Sequence, residues 1–290
     1  MIASQRQFFI LSRLRTRGAV RIAALSKELN VSSMTIRRDI SDLADRGLLR
    51  RVHGGAVSTS ALLAEPLFSV KSELDVDLKD EIAQAAIKFV SPGDVVAIGG
   101  GTTTYVFAQR LMESRRSDGI TILTNSTPVA ELVQATESKD VEVIVTGGVV
   151  TRSNSLVGPI ADKVISSLRV NSLFLGTHSV SIPRGFLTPN SLEASTNQAL
   201  MDISDRTFIV ADHSKWQNTS LSLFASFADV DAVIVDSGLP PAQASATREL
   251  VSELVLADGT AGQKAVLSTQ ASDEEESEFI DEVDDATDIS

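Results

Sequence analysis

Ile36, Ile40 and Leu43 recur at i, i+4 and i+7, which places them on one face of a helix over 33–46. Upstream, Phe8, Ile10, Leu11 and Leu14 predict a first helix over 4–17, facing inward and closed by Gly18. A short amphipathic piece over 22–29, closed by Asn30, predicts a second, and Ser32 stands where an N-cap would open the third. Two extended pieces around Gly54-Gly55 follow over 48–58. From Asp77 another helix, with Ile82, Ala85, Ala86 and Phe89 toward a core, runs to Pro92-Gly93. The pattern then alternates. Apolar strand-like runs at 95–98, 120–124, 141–145, 172–175, 207–211 and 232–235 are separated, for the most part, by helical stretches at 105–113, 128–135, 161–168 and 192–202. Such alternation predicts a mostly parallel sheet covered on both faces. Residues 242–256 read as one more helix.

The chain therefore divides into a winged helix-turn-helix over 1–58, a linker over 59–76 interrupted by Pro66, an α/β domain over 77–240, a helical extension over 241–269 and a tail over 270–290. The tail holds ten Asp/Glu and no Lys/Arg, a composition that predicts disorder. Two roles stay open for it: solubility, or folding back on the basic reader. At 290 residues and 43% apolar content the chain has material for two domains and a sizeable core. It has no cysteine, which excludes disulfide and thiolate chemistry, and its three histidines, at 53, 178 and 213, are scattered. No metal site and no cofactor are expected. No run approaches 18 apolar residues, so a soluble cytoplasmic protein without membrane contact is expected.

A net charge of −12 argues against a nucleic-acid partner until its distribution is considered. Residues 1–57 carry eleven Lys/Arg against four Asp/Glu. Two short helices, a tight turn and adjacent arginines early in the second helix meet the requirements of a helix-turn-helix. Ser33, Thr35, Arg37 and Arg38 lie off the apolar face, where they can reach bases or phosphates. Arg50 and Arg51, at the base of the wing, are expected on the sugar-phosphate backbone or in the minor groove. His53 is either a phosphate donor or a structural residue of the wing.

Parallel α/β sheets bind ligands at the carboxyl ends of their strands. Gly99-Gly100-Gly101-Thr102-Thr103-Thr104 follows a strand and opens a helix, so it offers close backbone approach, N–H groups and hydroxyls to an anion. It has neither the Walker pattern nor the dinucleotide pattern, and a small phosphate ester fits it better than a nucleotide. Thr124-Asn125-Ser126, Gly147-Gly148, the stretch from Asn154 to Gly158 and Asp212-His213-Ser214-Lys215 have matching composition at or near other strand ends. Lys215 is the candidate counter-ion. Glu193 is a candidate acceptor for sugar hydroxyls or an ordinary helix-start acid, and His178 is open to a pocket or a structural role.

The sequence VSSMTIRRDISDL followed by RRVHGG resembles the DeoR family of bacterial transcription regulators. Further matching pieces are Lys79 with Ile82-Ala83, Gly101 to Thr104, Thr124-Asn125-Ser126, Gly147-Gly148, Gly158, Glu193 and Asp212 with Ser214-Lys215, so the likeness spans roughly 4–238. The resemblance implies a C-terminal effector domain similar to sugar-phosphate isomerases such as ribose-5-phosphate isomerase. It also implies a phosphorylated sugar or polyol as effector and repression of operons for sugar or polyol use. Thr35, Arg37 and Arg38 would contact DNA, and Gly101 to Thr104 with Lys215 would surround the phosphate. The family often has Asp-Ser where this chain has Gly99-Gly100, a change that bears on which hydroxyls are recognised. The expected protein is a homodimeric or homotetrameric repressor, not an enzyme, that leaves double-stranded operator DNA when its phosphosugar binds. Two alternatives stand beside it. One is an isomerase-like enzyme with a DNA-binding module, whose base would be Glu193 or Asp212; the other is an activator or architectural DNA binder without a small ligand.

Overall fold

A computed structural model of the chain describes residues 3–46, 48–58, 68–72, 74–136 and 140–257. Residues 59–67 and 73 of the expected linker, the end of the expected helical extension at 258–269 and the whole acidic tail lie outside them.

The reader is built on the predicted periods. Helices α1 (Ala3–Arg17), α2 (Ile22–Leu29) and α3 (Ser33–Asp45) meet through Ile10, Leu14, Leu25, Ile36, Ile40 and Leu43. Phe8 does not join them: it is 72% exposed, and Phe9 packs at the core's edge beneath the Arg13 guanidinium instead. Ile10 and Leu14 set the buried face, and two residues before Ile10 the helix has turned about 200° away from it. Asn30 ends α2 in the left-handed conformation, and Ser32 caps α3 by accepting from the Thr35 N–H at 3.1 Å. β1 (Ala19–Arg21), β2 (Leu49–Val52) and β3 (Gly55–Ser58) form an antiparallel sheet in the order β1-β3-β2, with Arg50 opposite Val57. Gly55 is required there, since an added Cβ would lie 2.1 Å from the Val20 carbonyl oxygen.

α4 (Phe68–Lys71) leads to α5 (Val76–Ile87) through Asp75, a non-glycine residue at φ 51°. The alternation that follows is β4 (Val95–Ile98), α6 (Thr102–Met112), β5 (Thr121–Thr124), α7 (Thr127–Ala135) and β6 (Glu142–Val145). A hairpin of β7 (Val149–Val150) and β8 (Leu156–Val157) precedes α8 (Pro159–Ile165) and β9 (Ser172–Gly176). Then come β10 (Ser179–Ser181), β11 (Gly185–Thr188), α9 (Ser191–Asp202), β12 (Thr207–Val210), β13 (Ser222–Ala225), β14 (Ala232–Asp236), α10 (Pro241–Arg248) and β15 (Glu253–Ala257). Seven strands form one parallel sheet in the order β15-β14-β12-β9-β4-β5-β6.

Side chains alternate across this sheet. Val96 and Ile98 enter the layer beneath α5 and α6, while Ala97 enters the layer with α8 and α9. Phe174 of β9 is packed between Phe107, at 4.1 Å, and Phe208, at 4.9 Å. From β4 the sheet grows one way to β5 and β6, and the other way to β9, β12, β14 and β15. The reversal falls between β4 and β9, which opens a crevice at their carboxyl ends.

Two expectations are corrected. Residues 242–256 do not form one helix: α10 ends at Arg248, and 253–257 pair one for one with 232–236 as the last strand of the main sheet. Leu250, Val251, Leu254 and Val255 keep a helical period, but the open edge of β14 offers a full ladder of backbone hydrogen bonds. The start of the presumed helical extension therefore belongs to the sensor domain. Residues 185–188, outside the expected strand runs, are a strand in a small antiparallel sheet of order β10-β11-β13.

Candidate functional site

α3 presents Arg37 and Arg38 to solvent, with Ser33 exposed at its start. Thr35 is half-buried, and its hydroxyl lies 2.9 Å from that of the capping Ser32. The helix is held from behind by its buried isoleucines and by Asp39, which pairs with Arg6 at 2.7 Å. On the wing, His53 is exposed at the turn and Arg51 donates to Ser41 of α3 at 3.2 Å. Arg50 departs from the expected arrangement. Adjacent strand residues face opposite ways, and Arg50 turns from the recognition surface to donate to Asn218 Oδ1 of the sensor domain.

The second site lies in the crevice between β4 and β9. Its inner lobe, about 70 Å³, is lined by Gly100, Gly101, Thr102 and Thr103 from the start of α6, with Asn125, Ser155, Glu193 and Lys215 around them. No side chain caps α6, whose N-cap is Gly101. Gly100 donates its N–H to Asn125 Oδ1 at 3.0 Å, and Asn125 donates to the Leu156 carbonyl at 3.1 Å. A side chain at Gly100 would collide with Ser155, since its Cβ would lie 1.9 Å from Oγ. That crowding favours glycine over serine at position 100. The buried Glu193 accepts from Thr151 at 2.8 Å, from Thr188 at 2.9 Å and from Ser153. This carboxylate sits among hydroxyls, on the wall of the lobe.

An outer lobe of about 310 Å³ opens beside it, sharing Lys71, Thr102, His178 and Lys215 with the inner one. Lys215 pairs with Asp212 at 2.9 Å. Burial works to raise the Asp212 carboxyl, but the Lys215 ammonium and the Ser214 hydroxyl outweigh it and hold the group well below the usual carboxylate range. Lys79 donates to the Lys71 carbonyl at 2.6 Å and to that of Leu74, and burial followed by the repulsion of Lys215 lowers it to about 8. Burial and the charges of Lys71, Lys215 and Arg50 push His178 down to about 3, so its ring is neutral at ordinary pH. His178 lines both lobes, so it faces the cavity rather than the core.

Of the expected ligand residues, Gly100, Gly101, Thr102, Thr103, Asn125, His178, Glu193 and Lys215 come together. Thr104 and Ser126 do not line the lobes: Thr104 Oγ1 turns back to the Gly101 carbonyl at 3.0 Å, and Ser126 caps α7. Gly147 and Gly148 lead into the β7–β8 hairpin and also stand outside the lining. Sequence reasoning missed Lys71, Asp75, Ser153, Thr188 and Asn218. Ser155 was signalled within the polar stretch from Asn154 to Gly158, whereas Lys71 and Asp75 fall in the presumed linker, where no periodicity marks them. Among the described residues no group of three His, Asp or Glu is placed to hold a metal ion, and no helix is long and apolar enough to cross a membrane.

A winged reader joined to a parallel-sheet domain with a polar strand-end cavity defines a DNA-binding regulator with a ligand-sensing domain. Comparison with known families agrees on both parts: residues 6–61 match the DeoR-like helix-turn-helix domain and residues 75–237 the DeoR C terminal sensor domain. The chain belongs to the DeoR family of regulators. It is similar to a putative aga operon transcriptional repressor of Escherichia coli O157:H7, 33% identical over 87% of this chain and 93% of that one. It is also similar to the transcriptional repressor AccR of Agrobacterium fabrum, 33% identical over 80% of this chain and 89% of that one. Ribose 5-phosphate isomerase A from Methanocaldococcus jannaschii aligns with 49% of this chain and 54% of its own at 17% identity, with a TM-score of 0.37.

Proposed function

We propose that the chain represses genes of sugar or polyol use in the cytoplasm and leaves its operator when a phosphorylated sugar or polyol fills the crevice between β4 and β9. The observation that carries this reading is the meeting of the uncapped start of α6 with Lys215 in one polar lobe. A phosphate placed there accepts from backbone N–H groups and the hydroxyls of Thr102 and Thr103, with Lys215 as counter-ion. Glu193, set among Ser153, Thr151 and Thr188, is placed to accept from sugar hydroxyls. The names of the two repressors above support repression. On the DNA side, Arg37, Arg38 and Ser33 take the major groove, and Arg51 and His53 lie toward the backbone. Two linked readers gain half-site specificity, so the working form is a homo-oligomer.

The test is a gel shift on DNA upstream of the chain's own gene, with a panel of phosphosugars titrated in at fixed salt. One phosphosugar is expected to abolish the shift while its dephosphorylated form leaves it intact. Equal action by the dephosphorylated form would overturn the phosphate assignment. Arg37→Ala is expected to weaken operator binding by about 1–3 kcal/mol and to keep ligand binding. Lys215→Ala is expected to do the reverse, binding DNA but resisting release.

A further inference from the structure

The sensor domain does not enclose its cavity alone. Along β2, Leu49 is buried in the reader core and Arg51 reaches Ser41, whereas Arg50 and Val52 face the sensor domain and, with Val57 of β3, line the outer lobe. Arg50 is half-buried there. Its hydrogen bond goes to Asn218, a neutral amide that itself donates to the His178 carbonyl at 2.9 Å. Among the described residues Arg50 has no carboxylate within ion-pair distance, although Asp75 and Asp212 stand farther off in the same lobe. A guanidinium withdrawn from water onto an amide is under-compensated, and an anion would compensate it better. Lys71, Lys79 and Lys215 add to the positive side of the same space.

Size points the same way. The inner lobe, about 70 Å³, is too small for a whole phosphosugar, since ligand sites run to roughly 300 Å³ and more. A ligand anchored by its phosphate at Thr102 and Lys215 therefore extends into the outer lobe, under the wing.

We propose that the wing is a wall of the ligand site and that Arg50 directly contacts the far end of the bound effector, a phosphorylated sugar or polyol carrying a second anionic group, phosphate or carboxylate. This rests on the sensor reading above and makes it more specific. On binding, Arg50 exchanges Asn218 for the ligand, so the strand that carries Arg51 on its other side responds to occupancy. Arg50 is then a specificity residue of the sensor, and Arg51 its neighbour on the DNA side.

Hydrogen–deuterium exchange on the full chain tests this, with inorganic phosphate, glucose 6-phosphate, 6-phosphogluconate, fructose 6-phosphate and fructose 1,6-bisphosphate as probes and calorimetric affinities alongside. Residues 100–104 are expected to gain protection with any probe that binds. Residues 49–57 are expected to respond only to a two-anion probe, 6-phosphogluconate or the bisphosphate. Arg50→Gln is expected to abolish the wing response and to weaken that probe roughly tenfold or more, the ordinary loss for a charge-assisted hydrogen bond, with inorganic phosphate unaffected. Asn218→Ala, which keeps the guanidinium, is expected to retain the two-anion preference and guards against a folding defect in the first variant. A response at 100–104 with a silent wing for every probe would overturn the Arg50 contact and leave the sensor reading standing. Wing responses of equal size to mono- and two-anion probes would overturn the second anionic group. Silence in both segments for all probes would overturn the sensor reading and this proposal with it.

Discussion

Lys79 lies at the floor of the outer lobe with its ammonium on two carbonyls, and its lowered value of about 8 gives the sensor a pH response. An anion favours the charged form, so the affinity for inorganic phosphate is expected to fall as pH rises from roughly 7 to 9. Isothermal calorimetry at three pH values checks this, and Lys79→Arg is expected to flatten the profile. Stability moves the other way. The folded value lies below the ordinary 10.5, so between about 8 and 10.5 the unfolded chain holds the extra proton, and Lys79's contribution to stability rises with pH across that window. An unchanged phosphate affinity at pH 9 would remove Lys79 from the ligand's surroundings. At this scale the sequence was legible where a residue type stood at a strand end, as with Thr102 and Lys215. It misled at Arg50, which composition grouped with Arg51 as a DNA contact. The period of two along a strand separates them, and that period outranks the shared charge.

Among the elements, α3 couples sequence to function most directly. Its outward arginines are only as well posed as the packing of Ile36, Ile40 and Leu43 behind them. Ile40→Ala is expected to cost roughly 2–5 kcal/mol of reader stability, through lost burial and the cavity left behind. Chemical denaturation followed by operator binding would show both losses together, and a full-strength shift at an unchanged midpoint would contradict the packing described. Most of the helices were readable from their period, and six strands of the main sheet because their apolar runs are short, β-rich and bounded by turn residues. β15 was not, because a run that satisfies a helical period becomes a strand when an unpaired edge lies beside it, and nothing local to 250–256 reports that edge. The antiparallel strands at 179–181, 185–188 and 222–225 escaped because each is short: the first two form a local hairpin, and the third joins it from farther along the chain.

In the whole molecule, charge and apolar surface are both unevenly placed. The basic reader faces DNA while the chain's total is −12. Val145, Val149, Val150 and Ile160 are exposed together around β6, β7 and α8, with Ile160 at 66%. Under the homo-oligomer proposed above, they are the surface that a second copy would cover. Ile160→Asp is expected to shift the assembly toward smaller species in size-exclusion chromatography with light scattering, and an unchanged mass would move the contact elsewhere. The cavity whose walls come from both the wing and the sensor domain carries a final consequence, for transplantation. Domain boundaries drawn from sequence invite exchanging readers between family members as if they were separable cassettes. A chimera that receives a foreign wing without an arginine at the position of Arg50 would still grip its operator and still hold a phosphate in the inner lobe. On the Arg50 contact proposed above it would be deaf, because the two halves communicate through a shared wall, and a sensor travels intact only with the strand that closes it.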